Sequence, residues 1–236
     1  MTVGVTERGD AGLNLHEWIA AANKWDIEFT VAITKAPHIL LENIDILPKN
    51  LIIHATITGW GGTDLEPNVR NCMQELEAYT QLVKLLGPER VVLRVDPIIP
   101  TAEGVQGALT LINNFCKGRL RVSILDYFMH VEDRLVATKN PLATVLTPLY
   151  NTNTFLKKEL RGEILKLFPT AEICGELGFP SVGCISIKDY NVLVLRPPEK
   201  IKKAKQRPSC SCLAEKRELL THKGQCDHKC LYCYWR

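Results

Sequence analysis

Five short apolar runs alternate with amphipathic stretches along most of this chain. The runs are five to nine residues long, rich in Val, Ile and Leu, and lie at residues 2–6, 28–34, 51–58, 90–96 and 119–127. Their nearly continuous apolar character is typical of parallel strands that are covered on both faces. They therefore predict a buried parallel sheet.

The stretches between these runs have helical periodicity. Helices are predicted at residues 15–23, 68–86, 102–115 and 156–168, and a sixth, weaker strand at residues 171–175. Pro67 precedes the second helix and Gly87 follows it, which are a typical start and stop. Repeated strand–helix alternation implies a parallel sheet with right-handed crossovers. The predicted fold is α/β, a partial or irregular (β/α) barrel of about six parallel strands, and a doubly wound open sheet is the alternative.

The composition changes after residue 195. An Arg-Pro-Pro break at 196–198 is followed by a charged stretch at 199–207 and then by a cysteine-rich tail. Two units are expected, a barrel-like domain at residues 1–195 and a cluster-binding tail at 196–236 packed on the barrel mouth. A tail of this size is too small to fold without its metal.

Composition points to a protein without a membrane partner. No apolar run approaches the roughly 18 residues of a membrane span, and 46% hydrophobic with 23% charged residues is ordinary for a globular protein. Glu7, Arg8 and Asp10 near the start argue against a signal peptide. We expect a cytoplasmic protein.

Nine cysteines in such a chain argue for metal binding or catalysis over disulfides. Cys226, Cys230 and Cys233 have the spacing C-x3-C-x2-C, with Tyr232 before the third. Three thiolates at that spacing can hold three corners of a [4Fe–4S] cluster and leave one iron without a protein ligand. The alternative is a zinc site that takes Cys212 or His222 as its fourth ligand.

Four further cysteines form a second candidate set. Cys72 and Cys116 fall in predicted helices, where a buried thiol is the default. The remaining four are Cys174, Cys184, Cys210 and Cys212. Four is the right number for a second Fe–S cluster or a zinc site. Unrelated buried thiols are the alternative, since pairing cannot be deduced from sequence.

Polar residues lie where the predicted strands end, which is where parallel barrels carry their chemistry. They are Glu7, Arg8 and Asp10 after the first strand, Lys35 after the second, Thr58 after the third, Arg94 and Asp96 in the fourth, Asp126 after the fifth and Glu176 after the sixth. Arg94 and Asp96 alternate with Leu93 and Val95, so both should face one interior. They could form a structural ion pair, or Arg94 could anchor a carboxylate or phosphate through its planar fork, with Lys35 in a similar role.

Other polar residues are assigned structural roles. Glu66 and Asn68 precede a predicted helix and are read as capping residues. His54 and His130 lie near apolar positions and are read as core histidines.

Positive charge is concentrated at the C-terminal end. Residues 190–236 contain eleven Lys/Arg and four Asp/Glu, although the whole chain has a net charge of only +3. A basic segment around a metal site favours an anionic partner such as nucleic acid. A solvated surface is the alternative.

Several sequence blocks together resemble one family. They are ITKAP at 33–37, TITGWG at 56–61, EPNV at 66–69, GPERVVLRVDPI at 87–98, the paired Cys210 and Cys212, and the terminal cysteines. They are similar to the bacterial and archaeal domain-of-unknown-function family eighteen-forty-eight, whose C-terminal cysteine cluster has been likened to that of radical S-adenosylmethionine enzymes. The resemblance covers nearly the whole chain.

The resemblance implies a cofactor and a reaction class. The open iron of a [4Fe–4S] cluster would chelate S-adenosylmethionine, and reduction would release a 5′-deoxyadenosyl radical that abstracts hydrogen from an unknown substrate. Tyr232, Arg94 and Thr58 would then contact the cofactor, and Lys35, Arg94 and Asp96 would be catalytic. Tyr234 and Trp235 would help Tyr232 to shield the cluster. An electron donor such as flavodoxin or ferredoxin is implied, and the basic tail makes a nucleobase or nucleoside in nucleic acid the expected substrate class.

This interpretation carries a geometric requirement, because the tail must fold back across the C-terminal mouth of the barrel, near Lys35, Arg94 and Asp96. Two other classes stay open. An Fe–S electron-transfer or redox-sensing protein would hold the cluster with four protein ligands. A zinc-stapled nucleic-acid-binding module would bind zinc instead.

Overall fold

Seven parallel strands form one curled sheet, a half-barrel. The computed structural model describes residues 2–150, 154–199, 202, 204, 209–221 and 226–234. The strands are β1 (Thr2–Val5), β2 (Ile27–Thr34), β3 (Leu51–Thr56), β4 (Val91–Ile98), β5 (Leu120–Ile124), β6 (Glu172–Ile173) and β7 (Lys216–Glu218), in the spatial order β6-β5-β4-β3-β2-β1-β7. The predicted partial barrel is confirmed.

The strands are apolar throughout because both faces of the sheet are covered. Every second residue of a strand faces one side of the sheet, where Val31 of β2 and Ile52 of β3 pack with Tyr190 and Leu213. Their sequence neighbours, such as Ile53, join the larger core that includes the helices on the other face. Burial on both sides accounts for the continuous apolar runs.

Eight α-helices connect or flank the described strands. They are α1 (Leu15–Lys24), α2 (Pro37–Glu42), α3 (Cys72–Leu86), α4 (Ala102–Phe115), α5 (Met129–Ala137), α6 (Leu142–Leu146), α7 (Lys158–Lys166) and α8 (Ile187–Val192), with 3₁₀ turns at Ile44–Ile46 and Thr147–Leu149. The sequence did not indicate α2, α5, α6 or α8, whose five to nine residues are too few for a clear helical period. None of the helices among the described residues is long and apolar enough to cross a membrane.

The start of α3 corrects two predicted roles. Asn71 is the capping residue, and its side chain accepts a hydrogen bond from the Met73 N–H at 2.9 Å. The helix therefore begins at Cys72 and not at residue 68. Glu66 and Asn68 do not cap it.

The seventh strand comes from the cysteine-rich region. β7 pairs with β1 at the sheet edge, with Val3 opposite Lys216 and Val5 opposite Glu218. The Glu218 carboxylate also accepts hydrogen bonds from the backbone N–H groups of Glu7 and Arg8. Three charged residues in a row did not indicate a strand, but a charged edge strand is common because it discourages pairing with other chains.

A buried ionic network joins β5, β6 and α8. Arg119 donates to both carboxylate oxygens of Glu172, at 2.8 and 3.0 Å, and to Asp189 at 2.8 Å. Arg121 donates to Glu172 at 2.6 Å. Burial of these charges is tolerated because each has a direct partner.

Replacing Arg119 with methionine should leave two carboxylates partly uncompensated. We expect Arg119→Met to lower the free energy of unfolding by about 3–5 kcal/mol, since one partner of a buried ion pair has been removed. Lys188→Met is the matched control, because Lys188 contacts the same Glu172 at 3.0 Å but its side chain is 47% exposed; it should cost at most about 1 kcal/mol. Urea unfolding measures both, and equal costs would contradict the role of Arg119.

Candidate active site

The C-terminal ends of the strands open into a cavity of about 190 Å³. Its barrel side includes Asp10, Lys35, Thr56, Arg94, Asp96, Ser123, Asp126 and Glu176. Its other wall is the terminal segment, residues 226–234, which contributes Cys226, His228, Cys230, Tyr232, Cys233 and Tyr234. The structure thus brings the terminal cysteines to the strand ends, beside Lys35, Arg94 and Asp96.

Asp10 joins two strand ends to the terminal segment. Its carboxylate accepts hydrogen bonds from Gly12 N–H at 2.8 Å, Thr34 Oγ1 at 2.7 Å and Lys35 N–H at 2.6 Å. The same carboxylate lies 3.0 Å from Nε2 of His228. Burial alone would raise the pKa of Asp10, but the hydrogen bond and charge of His228 outweigh it and lower this pKa. Burial would likewise lower the pKa of His228, and Asp10 raises it instead. Both shifts favour the ionised pair.

Lys35, Glu66 and Tyr232 form a second buried contact. The Lys35 ammonium donates to Glu66 at 2.7 Å and to the Tyr232 hydroxyl at 2.8 Å. Tyr232 and Thr58 also donate to the same Glu66 oxygen. Burial opposes both charges, yet the pKa of Lys35 is raised by Glu66 and that of Glu66 is lowered by Lys35. Burial raises the pKa of the Tyr232 phenol well above its usual value.

Glu66 is a site residue that the sequence interpretation missed. It is 1% exposed and contacts Tyr232, which is 166 positions away along the chain. No spacing pattern could have indicated that contact. Thr58 had been expected to touch a cofactor, but it does not line the described cavity and bonds to Glu66 at 2.6 Å.

Backbone hydrogen bonds complete the docking of the terminal segment. Leu231 N–H donates to Leu65 O at 2.9 Å, and the Asn68 side-chain amide donates to Asp227 O at 2.6 Å. Arg134 of α5 donates to Leu231 O at 2.8 Å and also to Cys233 O. The segment is therefore held by the loop after β3 and by a helix outside the sheet.

Arg94 and Asp96 face the cavity as a direct ion pair. Asp96 also accepts a hydrogen bond from Ser123. Burial would lower the pKa of Arg94 and raise that of Asp96, but the partner charge together with other nearby groups reverses both shifts, so the pKa of Arg94 is raised and that of Asp96 is lowered. The Arg94 Nε–H is buried and has no hydrogen-bond partner among the described residues. The pair therefore keeps one free cationic donor.

The terminal cysteines are protected from water to different degrees. Cys230 is buried, whereas Cys226 and Cys233 are partly exposed. Burial raises the pKa of Cys226 to about 12 and that of Cys230 to about 11. Tyr234 lies on the same cavity wall, 6.3 Å between ring centroids from Phe128. His222 and Trp235, two other predicted participants, lie outside the described residues.

The second set of cysteines is also brought together, away from the cavity lining. Cys174, Cys184 and Cys212 are buried in one cluster, and Cys210 packs against it. The sulfur atoms of Cys174 and Cys184 are 3.3 Å apart. Cys116, which had been placed inside a helix, instead follows α4 and contacts Gly118 O at 3.5 Å.

Metal binding requires thiols that can reach a common group. Within the described ranges, no three Cys, His, Asp or Glu side chains are arranged to hold a metal ion. The three terminal thiols nevertheless face one cavity. A multi-iron cluster, in which each cysteine would bind a different iron, does not require the thiols to converge on one point as a single ion does.

The family model for a domain of unknown function, DUF1848, matches residues 16–235. The chain belongs to this family. No curated protein matches the sequence. The match covers β2 to β7 and all nine cysteines, so the DUF1848 region includes the terminal segment and most of the strand ends that face it across the cavity.

Removing the charge of Glu66 should loosen the terminal segment of this DUF1848 chain. In Glu66→Gln the buried Lys35 ammonium loses its counter-ion, which should cost at least about 1.4 kcal/mol, or about tenfold in local opening. We expect Cys230 to react about tenfold faster with a thiol reagent, measured by mass spectrometry of the terminal peptide.

Asp64→Asn is the matched control, because Asp64 is exposed and lies two residues earlier in the same loop. Its Cys230 should react at the wild-type rate. An unchanged rate in Glu66→Gln would show that Glu66 does not hold the segment.

Proposed function

We propose that this chain is an iron–sulfur enzyme of the radical S-adenosylmethionine type. The single observation that carries the proposal is the position of the C-x3-C-x2-C cysteines on the cavity at the strand ends. Parallel barrels and half-barrels place their chemistry at that edge of the sheet. A cysteine motif that only stapled the tail would have no reason to face the charged strand ends.

The residues that line the cavity support the proposal of a cluster with one open iron. Among the described residues that line it, there is no fourth cysteine. His228 also lines it, but Asp10 holds its Nε2 at 3.0 Å. Cys226, Cys230 and Cys233 would hold three irons and leave the fourth for an exogenous ligand. This favours catalysis over electron transfer with four protein ligands.

When bound, the reduced cluster supplies the electron that cleaves S-adenosylmethionine to a 5′-deoxyadenosyl radical for hydrogen abstraction from the substrate. The protein binds, orients and shields these groups. Arg94 lines the cavity, and its positive charge can attract a carboxylate there. Tyr232 packs its ring beside the Lys35 ammonium, 5.4 Å from the ring centroid, and closes the inner wall. Asp96 keeps Arg94 oriented, so it acts as a positioning residue.

The size of the cavity adds one constraint. Its volume of about 190 Å³ is below the ~300–1,000 Å³ of pockets that enclose drug-sized ligands. A nucleoside-sized ligand would therefore require the terminal segment to move outward. The Glu66 and Asp10 contacts would set how readily that happens.

The charge of the C-terminal region indicates a substrate class. The proposal of a nucleobase or nucleoside in nucleic acid as substrate rests on the basic C-terminal region. Most of residues 199–207 lie outside the described part of the chain. Arg8 and Glu7 line the cavity as well. A one-electron donor such as flavodoxin or ferredoxin would be required.

The test is cleavage of S-adenosylmethionine by the full chain. After anaerobic reconstitution with iron and sulfide and reduction with dithionite, we expect 5′-deoxyadenosine to form, measured by chromatography. Cys230→Ala should lose the cluster and form only background product, because one thiolate ligand is missing. Cys72→Ala is the matched control, since Cys72 starts α3, and it should behave as the wild type.

Other outcomes separate the remaining classes. A fully loaded cluster that cycles between oxidation states without cleaving the cofactor would contradict the proposal and indicate an electron-transfer protein. Stoichiometric zinc on the terminal cysteines, with salt-sensitive binding to RNA or DNA, would indicate a nucleic-acid-binding module.

A further inference from the structure

Four thiols outside the cavity form a continuous row, the cysteine quartet Cys174, Cys184, Cys212 and Cys210. The sulfur atoms of Cys174 and Cys184 are 3.3 Å apart. The backbone N–H of Cys184 donates to the sulfur of Cys212 at 3.1 Å. Cys212 in turn hydrogen-bonds through its side chain to Cys210. Buried thiols from three separate parts of the chain are not expected to meet by chance.

Two buried arginines and a buried histidine with unpartnered side-chain nitrogen atoms lie near the quartet. Arg94 and Arg121 lie within electrostatic range of Cys174 and Cys184, since a thiolate at either cysteine would raise the pKa of both guanidinium groups. The Nε atoms of both arginines are buried without a hydrogen-bond partner among the described residues. His54 is 0% exposed and lies within electrostatic range of Cys184. Both of its ring nitrogens likewise have no hydrogen-bond partner in that part of the chain. Buried N–H donors are normally satisfied, so the two arginine donors are available to an anionic group beside them.

The strand register explains why these donors converge. Arg94 of β4 lies opposite Arg121 of β5, and Arg121 lies opposite Glu172 of β6. Cys174 directly follows β6, and its N–H donates to Val122 O at 2.9 Å. The quartet therefore lies at the end of a row of charged residues that crosses the same face of the sheet.

We propose that the cysteine quartet binds a single zinc ion. Zinc holds four thiolates at about 2.3 Å in a tetrahedron, which places the sulfur atoms about 3.8 Å apart. The contact between Cys174 and Cys184 is close to that separation. A cubane cluster would hold its thiolates on the outside of a four-iron core, farther apart than the sulfur atoms of Cys174 and Cys184.

Zinc binding to the quartet releases protons and leaves a negatively charged site. Four thiols release four protons to solvent, and Zn²⁺ with four thiolates carries a charge of −2. The free Nε–H groups of Arg94 and Arg121 can donate to those thiolates. The sulfur atoms form a row and do not yet surround one point, so Cys210 must turn inward. It lies on an open hollow between Glu176 and Ser209, which gives an ion a path to it.

The site would fasten the C-terminal region to the half-barrel. Cys174 follows β6, Cys184 precedes α8, and Cys210 and Cys212 precede β7. Their loops already touch, since a Cβ on Gly183 would lie 2.5 Å from Cys212 Cα and from Ser211 O. Such an approach requires glycine and fixes the distance between the two loops.

The test uses the full chain with Cys226, Cys230 and Cys233 all changed to alanine, so that the terminal triad cannot contribute. Purified without added metal, this variant should contain about one zinc ion per chain and no sulfide. Adding Cys184→Ser should abolish the zinc, and adding Cys72→Ser, the matched control, should leave it unchanged. Cobalt in place of zinc should give the visible absorption of tetrahedral thiolate coordination.

Three results would overturn the zinc site. They are a triple variant that binds neither zinc nor cobalt, iron and sulfide on the quartet in place of zinc, and a disulfide between Cys174 and Cys184 in the protein isolated without reductant. If the variant with Cys184→Ser does not fold, removing zinc with a chelator tests the site instead. Removing zinc from the folded triple variant must lower its unfolding temperature, and restoring zinc must reverse the change. Because the terminal triad is absent throughout, the result is independent of S-adenosylmethionine cleavage.

Discussion

Buried charge pairing holds the terminal segment on the half-barrel. Asp10 is buried at the end of β1, where it accepts hydrogen bonds from the backbone of the next strand end and meets His228 from the far end of the chain. Lys35, one strand away, meets Glu66 and Tyr232. An unpaired buried charge costs several kcal/mol. Each ion on the sheet therefore requires its partner, and two of those partners come from the terminal segment or contact it.

This pairing explains how a C-terminal cysteine motif can serve a site at the strand ends. Three thiols attached to a loose tail would have no fixed relation to Arg94 and Asp96. The docking contacts place Cys226 and Cys230 on the wall opposite them. Arg94 lies on the same lining, so the cavity combines thiols with a cation.

Arg94 lies between two different groups of cysteines. On one side it lines the cavity with the terminal thiols, which face a shared space without touching. On the other side it lies within electrostatic range of Cys174 and Cys184, whose sulfur atoms are 3.3 Å apart. Spacing between thiols decides which metals they can hold, because a cluster spreads its ligands over several irons and a single ion draws them together. The proposed cluster on the terminal thiols and the proposed zinc ion on the quartet follow this difference in spacing.

The sequence by itself determined the first six strands of the sheet and the polar residues at their C-terminal ends. Continuous apolar runs specify strands buried on both faces, and alternation within β4 places Arg94 and Asp96 on one side. These are local properties, set by neighbours along the chain. The contacts of Glu66 with Tyr232 and of Asp10 with His228 join residues 166 and 218 positions apart, and no local pattern encodes them. The strand β7 and the meeting of the four cysteines of the quartet were likewise decided by tertiary structure, because only the folded sheet brings charges and thiols from distant segments within bonding distance.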